Sequence, residues 1–188
     1  MKKRLEDLTK HEWDTFFPIE LEDHNTNWKS IFEEESQLIN EKIGSQLIAI
    51  EHVGSTAIPE IKAKPYIDIS IEIAQENLFK EEVILALESL GYHFFRQTAK
   101  GSDYMIFVKG YNLNGPKEQI FHIHMCPSGH EMLDQILFRD LLIANPKRAV
   151  EYELLKTELA ASHKNDRVGY RMAKNDFIAQ IMNTVDEE

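Results

Sequence analysis

Residues 67–73 alternate between isoleucine and a polar side chain, and this pattern limits the folds open to the chain more than any other. A period of two predicts a β-strand with opposite faces. The isoleucines form one face, suited to a core, and Asp68, Ser70 and Glu72 form the other. The apolar run 47–50 predicts a second buried strand. A Gly-Ser-Thr turn at residues 54–56 lies between the two strands, so the sequence predicts a sheet with one apolar and one polar face.

The remaining elements predict an α/β (α+β) fold, in which helices pack on a mixed sheet. The chain of 188 residues is expected to form a single domain over residues 1–188. That domain would have an N-terminal extension at 1–20 and C-terminal helices at 130–185. Helices are predicted at 4–16, 25–43, 78–90, 131–144, 148–162 and 170–185, and further strands at 19–21, 92–95, 104–108 and 119–126.

Composition excludes several classes of function. A net charge of -11 argues against a general nucleic-acid-binding protein, because phosphate backbones require clustered Lys and Arg. Cys126 is the only cysteine, so neither an internal disulfide nor a cysteine zinc site is expected. No apolar segment approaches membrane-spanning length, and the N-terminus lacks the apolar core of a signal peptide. We therefore expect a soluble, cytoplasmic protein that does not bind membranes.

The polar strand face is the first candidate for chemistry. Gly54 allows close approach of a phosphate, and Ser55 or Thr56 can cap a turn whose N–H groups face an anion. Asp68, flanked by isoleucines, would be shielded and would need a cation, a donor or a proton. Mg²⁺ suits such an oxygen ligand, with Glu72 farther along the same face. The alternatives are an edge strand with a solvated face and a structural hydrogen bond from Asp68.

His122 and His124 share one face of the strand at 119–126. At that spacing the two imidazoles can bind a metal ion or phosphate, or transfer protons, although strand histidines are often packing residues. A metal protein with both histidines as ligands is therefore a further hypothesis. Cys126 lies on the same face and is interpreted as a small buried residue.

Basic side chains could supply the charge that a bound phosphate needs. Lys64 precedes the Asp68 strand, and Arg139, Lys156 and Lys174 lie on the C-terminal helices. We expect the last three to form the far wall of a cleft lined by Asp68 and His124, because an acidic chain must offset phosphate charge locally. The alternative is that each is an ordinary surface or ion-pair residue.

Several segments together resemble the GrpB family, which is placed in the nucleotidyltransferase superfamily of the DNA polymerase beta type. The matching segments are HVGSTAIP at 52–59, AKPYID at 63–68, FHIH at 121–124, Phe138–Asp140, Asn145–Pro146, Tyr152 with Leu155–Lys156, and Tyr170 with Lys174 and Phe177–Ile178. The resemblance covers roughly residues 20 to 182. It implies a nucleotidyltransferase-like mixed sheet flanked by helices, with a helical C-terminal segment.

The resemblance also implies roles for individual residues. In active members of the superfamily a Gly-Ser turn holds a nucleotide triphosphate, and two acids one residue apart bind metal ions. Gly54, Ser55 and Asp68 match this pattern, but Ser70 occupies the place of the second acid and His122 and His124 lie where a third acid is expected. These departures count against ordinary two-metal transfer.

The expected function is binding of a nucleotide or phosphorylated small molecule, with Mg²⁺ as cofactor and Mg²⁺-dependent nucleotidyl transfer if the protein is an enzyme. The alternative is a non-catalytic nucleotide- or phosphate-binding or scaffold module with a degenerate site. Neither the substrate nor the oligomeric state follows from the sequence. The candidate residues are Asp68, His122 and His124 for catalysis; Asp68 and Glu72 for metal; and His52, Gly54, Ser55, Thr56, Lys64, Ser70, Arg139, Lys156, Tyr170 and Lys174 for substrate.

Overall fold

Five strands form one mixed sheet in the computed structural model, which describes residues 5–98, 103–113 and 115–183, apart from the side chain of Glu6. The spatial order is β1-β2-β5-β4-β3. The β2–β5 pair is parallel and the other three pairs are antiparallel. The strands are β1 (Leu47–Val53), β2 (Tyr66–Ile73), β3 (His93–Gln97), β4 (Tyr104–Lys109) and β5 (Ile120–Pro127).

Seven α-helices among the described residues surround this sheet. The predicted mixed sheet, flanking helices and helical C-terminal segment are therefore confirmed, while the single domain over 1–188 stays a prediction. The helices are α1 (Lys10–Phe16), α2 (Asn27–Ile43), α3 (Glu81–Glu88), α4 (Asp134–Ala144), α5 (Pro146–Ser162), α6 (Arg167–Met172) and α7 (Asn175–Met182).

Three predicted elements differ from the structure. The helix predicted at 4–16 is α1 from Lys10 onward, after a separate short turn at Leu5–Asp7, because the Thr9 side chain caps α1 by accepting from the Glu12 amide. Residues 19–21 form no strand, because the Ile19 amide bonds to the carbonyl of Lys164 at 2.8 Å and one isolated bridge, Glu22 to Ala63, follows. The predicted helix 170–185 is instead two helices, α6 and α7, joined by a turn at Ala173 and Lys174. Val185 lies outside the described residues.

The apolar face of β2 packs against helices, as its alternation predicts. Ile67, Ile69, Ile71 and Ile73 are completely buried. They share one core with residues of α2, α3 and the neighbouring strands, including Trp28, Ile39, Ile43, Val83, Leu87, Phe121 and Ile123. Burying each isoleucine contributes roughly 1.5–3 kcal/mol relative to exposure.

The opposite, polar face is bordered by the N-terminal segment and the C-terminal helices. Leu5 packs with Val108 and Tyr111 in one apolar cluster. A second cluster, formed by Ile58, Ile61, Leu142, Ala149, Tyr152 and Ile181, joins the loop before β2 to α4, α5 and α7. The chain thus brings its C-terminal helices beside the turn between β1 and β2.

Across residues 5–98, 103–113 and 115–183, no helix combines the length and apolar character needed to cross a membrane.

Candidate functional site

A chain of hydrogen bonds runs across the polar face of the sheet. The register of β2 and β5 pairs Asp68 with His122, whose Nδ1 donates to Asp68 Oδ1 at 3.0 Å. The other imidazole nitrogen, Nε2, lies 2.7 Å from the hydroxyl of Tyr111. Arg167 donates from Nη2 to the same hydroxyl at 3.1 Å, so the hydroxyl hydrogen is free to point at His122. Both nitrogens of His122 are therefore engaged.

Asp68 remains a carboxylate because of these neighbours. Burial by itself would raise its pKa, but the hydrogen bond from His122 and nearby positive charge, including that of Lys64, lower the pKa to about 2. The side chain is still 27% exposed, so it is both fixed and accessible.

The glycine turn lies directly against this carboxylate. Gly54 has φ 71° and ψ -172°, a conformation that side chains disfavour. A Cβ added at Gly54 would lie 3.0 Å from the Cβ of Asp68 and closer still to Oδ2. Glycine is therefore required at position 54 for two reasons: its backbone angle and the close contact between the turn and Asp68.

Two side chains of the turn region hold it in place. Thr56 donates to the carbonyl of Tyr66 at 2.9 Å, and its oxygen lies 3.0 Å from Nε2 of His52. Since the Thr56 hydrogen is already used, His52 donates from Nε2. Burial lowers the pKa of His52 to about 4, which keeps the ring neutral, and Phe32 stacks on it at 4.8 Å. His52 and Thr56 thus position the turn.

Four cationic side chains surround the turn and Asp68, and we call them the basic cluster: Lys64, Lys156, Arg167 and Lys174. Three of them share aromatic rings, and Lys156 interacts electrostatically with Lys64 and Lys174. The ammonium groups of Lys64 and Lys174 lie 5.8 and 4.7 Å from the centre of the Tyr170 ring. Lys64 and Arg167 also lie over Tyr66, and Lys156 lies over Tyr152.

The basic cluster has few partners of its own. Lys156 is 2% exposed, and its amine donates to the carbonyl of Lys62. Arg167 donates to the carbonyl of Phe17 and to Tyr111. Among the residues that the structure describes, none of the four side chains has a carboxylate within 4.0 Å. Four basic side chains therefore lie together without an ion pair to any described residue, in a protein of net charge -11.

Burial and the neighbouring cations lower the pKa values of the three lysines. Burial and the neighbouring cation Arg167 lower the pKa of Lys64 to about 7. Burial and Lys174 lower the pKa of Lys156 to about 7. Burial also lowers the pKa of Lys174, against the attraction of Asp68. An anion bound here would stabilise all three charged forms.

Ser55 of the turn lies close to this cluster. Burial raises the pKa of Tyr152 to about 12, although the neighbouring Ser55 hydroxyl acts in the opposite direction. Tyr152 is 4% exposed and belongs to α5, the helix that carries Lys156. The turn, Asp68 and the lysines of three separate segments thus meet at one place.

Ser70 and His124 form an unsatisfied polar pair beside Asp68. They are register partners in β2 and β5. Neither Ser70 Oγ nor His124 Nδ1 has a hydrogen-bond partner in the described part of the chain, although both atoms are buried. Burial lowers the pKa of His124 to about 4, so the ring is neutral near pH 7. Buried polar atoms of this kind usually bind water or a ligand.

Arg139 does not join the basic cluster. Its guanidinium donates to Glu51 at 2.8 Å, to the carbonyl of His52 at 2.6 Å and to Asp140 at 2.8 Å. It lines a separate cavity of about 460 Å³, together with His24, Phe32, His52 and Thr56. These contacts link α4 to β1, and a role of Arg139 in binding substrate stays a prediction.

Glu72 also lies away from the turn. Glu72 lies four positions after Asp68 on the same strand, so their Cα atoms are about 13 Å apart. Its carboxylate accepts a hydrogen bond from Ser128. No group of three or more His, Cys, Asp or Glu side chains in the described residues is placed to share a metal ion. A site for Mg²⁺ at Asp68 and Glu72, or for a metal ion at the two histidines, stays a prediction.

Sequence reasoning did not identify Tyr66, Tyr111, Tyr152 or Arg167 as site residues. Arg167 begins the six-residue helix α6, and Tyr111 lies in a loop, so neither belongs to a periodic pattern. One local signal was available: Asp166 caps α6 by accepting from the Gly169 amide at 3.1 Å, and it marks the helix start that places Arg167.

The comparisons with known proteins agree on one family. The family model described as GrpB protein matches residues 18–184. The glutamate-rich protein GrpB of Alkalihalophilus pseudofirmus is 36% identical over 162 residues, covering 85% of this chain and 91% of that protein. UPF0157 protein YqkA of Bacillus subtilis is 34% identical over 164 residues, covering 85% of this chain but 45% of YqkA.

A solved structure is also similar. The crystal structure of conserved protein GrpB from Enterococcus faecalis superimposes with a TM-score of 0.71 at 28% identity, covering 88% of this chain and 96% of that one. The match of the family model over nearly the whole chain, together with these relatives, places this protein by sequence and by fold: it belongs to the GrpB family.

Proposed function

We propose that this protein binds a nucleotide or another phosphorylated small molecule at the basic cluster. The observation that carries the proposal is the meeting of Lys64, Lys156 and Lys174 beside the Gly54–Ser55 turn, without an ion pair to any residue that the structure describes. Placing uncompensated cations together is unfavourable unless an anion joins them. A phosphate-bearing ligand supplies that charge, and ammonium groups bind it as point charges.

The finer proposal, nucleotidyl transfer within the nucleotidyltransferase superfamily, draws support from a glycine turn that leads to a strand bearing Asp68. A binding module without transfer activity is the second candidate. It is favoured by Ser70 in the place of the second acid and by the hydrogen bond that His122 makes to Asp68. If transfer occurs, Asp68 and His122 are the groups placed to hold or move a proton.

Isothermal titration calorimetry tests the binding proposal. The four common nucleoside triphosphates and coenzyme A precursors would be titrated into wild-type protein, Lys64→Met and Lys174→Met. We expect saturable binding of at least one ligand, weakened roughly tenfold or more by either substitution, since a hydrogen bond to a charged group contributes about 1.5–3 kcal/mol. Lys29→Met, on the exposed face of α2, is the control.

Absence of binding with every ligand, or unchanged affinity in folded Lys64→Met and Lys174→Met, would contradict the proposal. Release of pyrophosphate from the bound triphosphate then separates the two candidates. Nucleotidyl transfer requires that release, whereas a binding module leaves the triphosphate intact.

A further inference from the structure

We propose that the basic cluster binds a polyphosphate without a divalent metal ion. The inference rests on the function proposed above and adds the charge class of the ligand and the means of neutralising it. In place of a metal ion, Lys64, Lys156, Arg167 and Lys174 offset the phosphate charge. Three sets of observations carry this inference.

The first set of observations concerns the protein ligands that Mg²⁺ would need beside Asp68. Mg²⁺ requires near-octahedral oxygen coordination and usually takes one or two carboxylates from the protein. Asp68 offers Oδ2, but its Oδ1 already accepts from His122 at 3.0 Å. Glu72 is bonded to Ser128 farther along β2. Among the described residues, no cluster of acidic, histidine and cysteine side chains completes a site around Asp68.

The second set of observations concerns Ser70, at the position where a second metal-binding carboxylate would be expected. Ser70 is 1% exposed, and its hydroxyl, like Nδ1 of His124, has no partner among the residues described. Both groups are neutral near pH 7. They can hydrogen-bond to a water molecule or to a ligand oxygen, but they bring no negative charge to attract a cation. The floor of the site beside Asp68 is therefore polar and uncharged.

The third set of observations concerns the positive charge that the basic cluster already places at this site. Lys64 and Lys174 lie over the same ring of Tyr170, Lys156 interacts electrostatically with both, and Arg167 lies over Tyr66. A divalent cation placed among them would be repelled, because Asp68 and, for Lys156, Glu153 offset only part of their charge. Four cationic side chains match the charge of a di- or triphosphate better than that of a monoester.

Calorimetry with inorganic tripolyphosphate tests the inference, with parallel titrations in excess EDTA and in saturating Mg²⁺. We expect the affinity in EDTA to equal or exceed that in Mg²⁺. Affinity at least tenfold higher in Mg²⁺ would overturn the inference and leave the proposed function standing. Absence of binding of tripolyphosphate and of every nucleotide in both buffers would contradict the proposed function itself.

Two substitutions sharpen the experiment. Ser70→Asp puts a second carboxylate beside Asp68, and we expect it to weaken binding in EDTA roughly tenfold and to make affinity rise with Mg²⁺. Because a buried carboxylate can prevent folding, Lys174→Met is measured alongside it, with Lys29→Met as the matched control. We expect Lys174→Met to lose roughly tenfold in EDTA and Lys29→Met to lose nothing. Unchanged affinity in folded Lys174→Met would show that the lysines do not replace the metal ion.

Discussion

The His122 imidazole holds Asp68 in place, so its removal should lower the free energy of unfolding of the protein. His122→Phe keeps a ring beside Tyr111 but removes both hydrogen bonds. We expect the free energy of unfolding near pH 7 to fall by about 1–3 kcal/mol, measured by urea denaturation. His11→Phe, at an exposed position of α1, is the control and should change little.

The pH dependence of the same variant follows from the pKa of Asp68, which is about 2 in the folded protein and 3.8 ordinarily. A lowered carboxyl pKa contributes stability above about pH 4, and that stability is lost as the pH falls toward 2. We expect His122→Phe to flatten this part of the stability profile. An unchanged profile would show that His122 does not set the pKa of Asp68.

Gly54 offers a second test at a single position. Gly54→Ala imposes an unfavourable backbone conformation and a contact with Asp68, whereas Gly91→Ala at φ 89° meets no atom within 4 Å. We expect Gly91→Ala to cost about 1–2 kcal/mol of unfolding free energy. Gly54→Ala should cost more, by about 1 kcal/mol or above, and weaken phosphate binding. Equal losses would show that the contact between the turn and Asp68 is unimportant.

One buried acid, Glu35, adds a polar link between α2 and the sheet to the apolar packing of Ile39 and Ile43. Glu35 is 5% exposed, accepts from Lys109 at 2.7 and 2.9 Å, and accepts from Tyr92 at 2.9 Å. Glu35→Ala leaves an ammonium and a hydroxyl without their acceptor, so we expect a loss of about 3–5 kcal/mol in urea unfolding. Tyr92→Phe removes one hydrogen bond and should cost about 1 kcal/mol. Similar losses in the two variants would contradict this account.

The sequence predicts those elements whose side chains repeat with a clear period. The alternation of β2 and β5 predicts that Asp68, His122 and His124 share a face, and the structure places them so. Residues 19–21 are apolar enough for a strand, but a strand also needs a neighbour, and Ile19 bonds to Lys164 instead. The period of the side chains alone does not specify which segment a strand will pair with.

Side-chain partners across long sequence distances were harder to predict. The sequence places Arg139 among apolar neighbours but cannot show that Glu51 lies opposite it. Charge balance predicts the convergence of Lys156 and Lys174, and the family resemblance predicts Tyr170, whereas Arg167 is indicated only by the capping residue Asp166 before it. Those contacts depend on how α5, α6 and α7 pack, which no local pattern determines.

The lysines of the basic cluster make the stability of the whole protein depend on pH. The pKa values of Lys64 and Lys156 are about 7, against an ordinary value of 10.5, so the unfolded chain binds more protons between these values. We therefore expect the unfolding free energy to rise as the pH increases from about 7 to 9. In the same window, affinity for phosphate should fall, because the lysines lose their charge.

Lys64→Met should flatten this rise in urea unfolding measurements across the window, because it removes one of the lysines whose lowered pKa causes it. Lys29→Met is the control, since that side chain is 82% exposed and should leave the slope unchanged. A slope equal to that of the wild type in folded Lys64→Met would show that Lys64 titrates normally.

The parallel pairing of β2 with β5 has a consequence for the chain while it is being synthesised. β2 ends at residue 73 and β5 begins at residue 120. β2 therefore leaves the ribosome well before β5, its parallel neighbour, has been synthesised. During that interval one edge of an isoleucine-rich strand is open to other nascent chains. Asp68 and Glu72 place two negative charges on this segment, and such charges oppose association between identical strands. We therefore expect the carboxylate that contacts the glycine turn in the folded protein to oppose association of unfinished copies during synthesis.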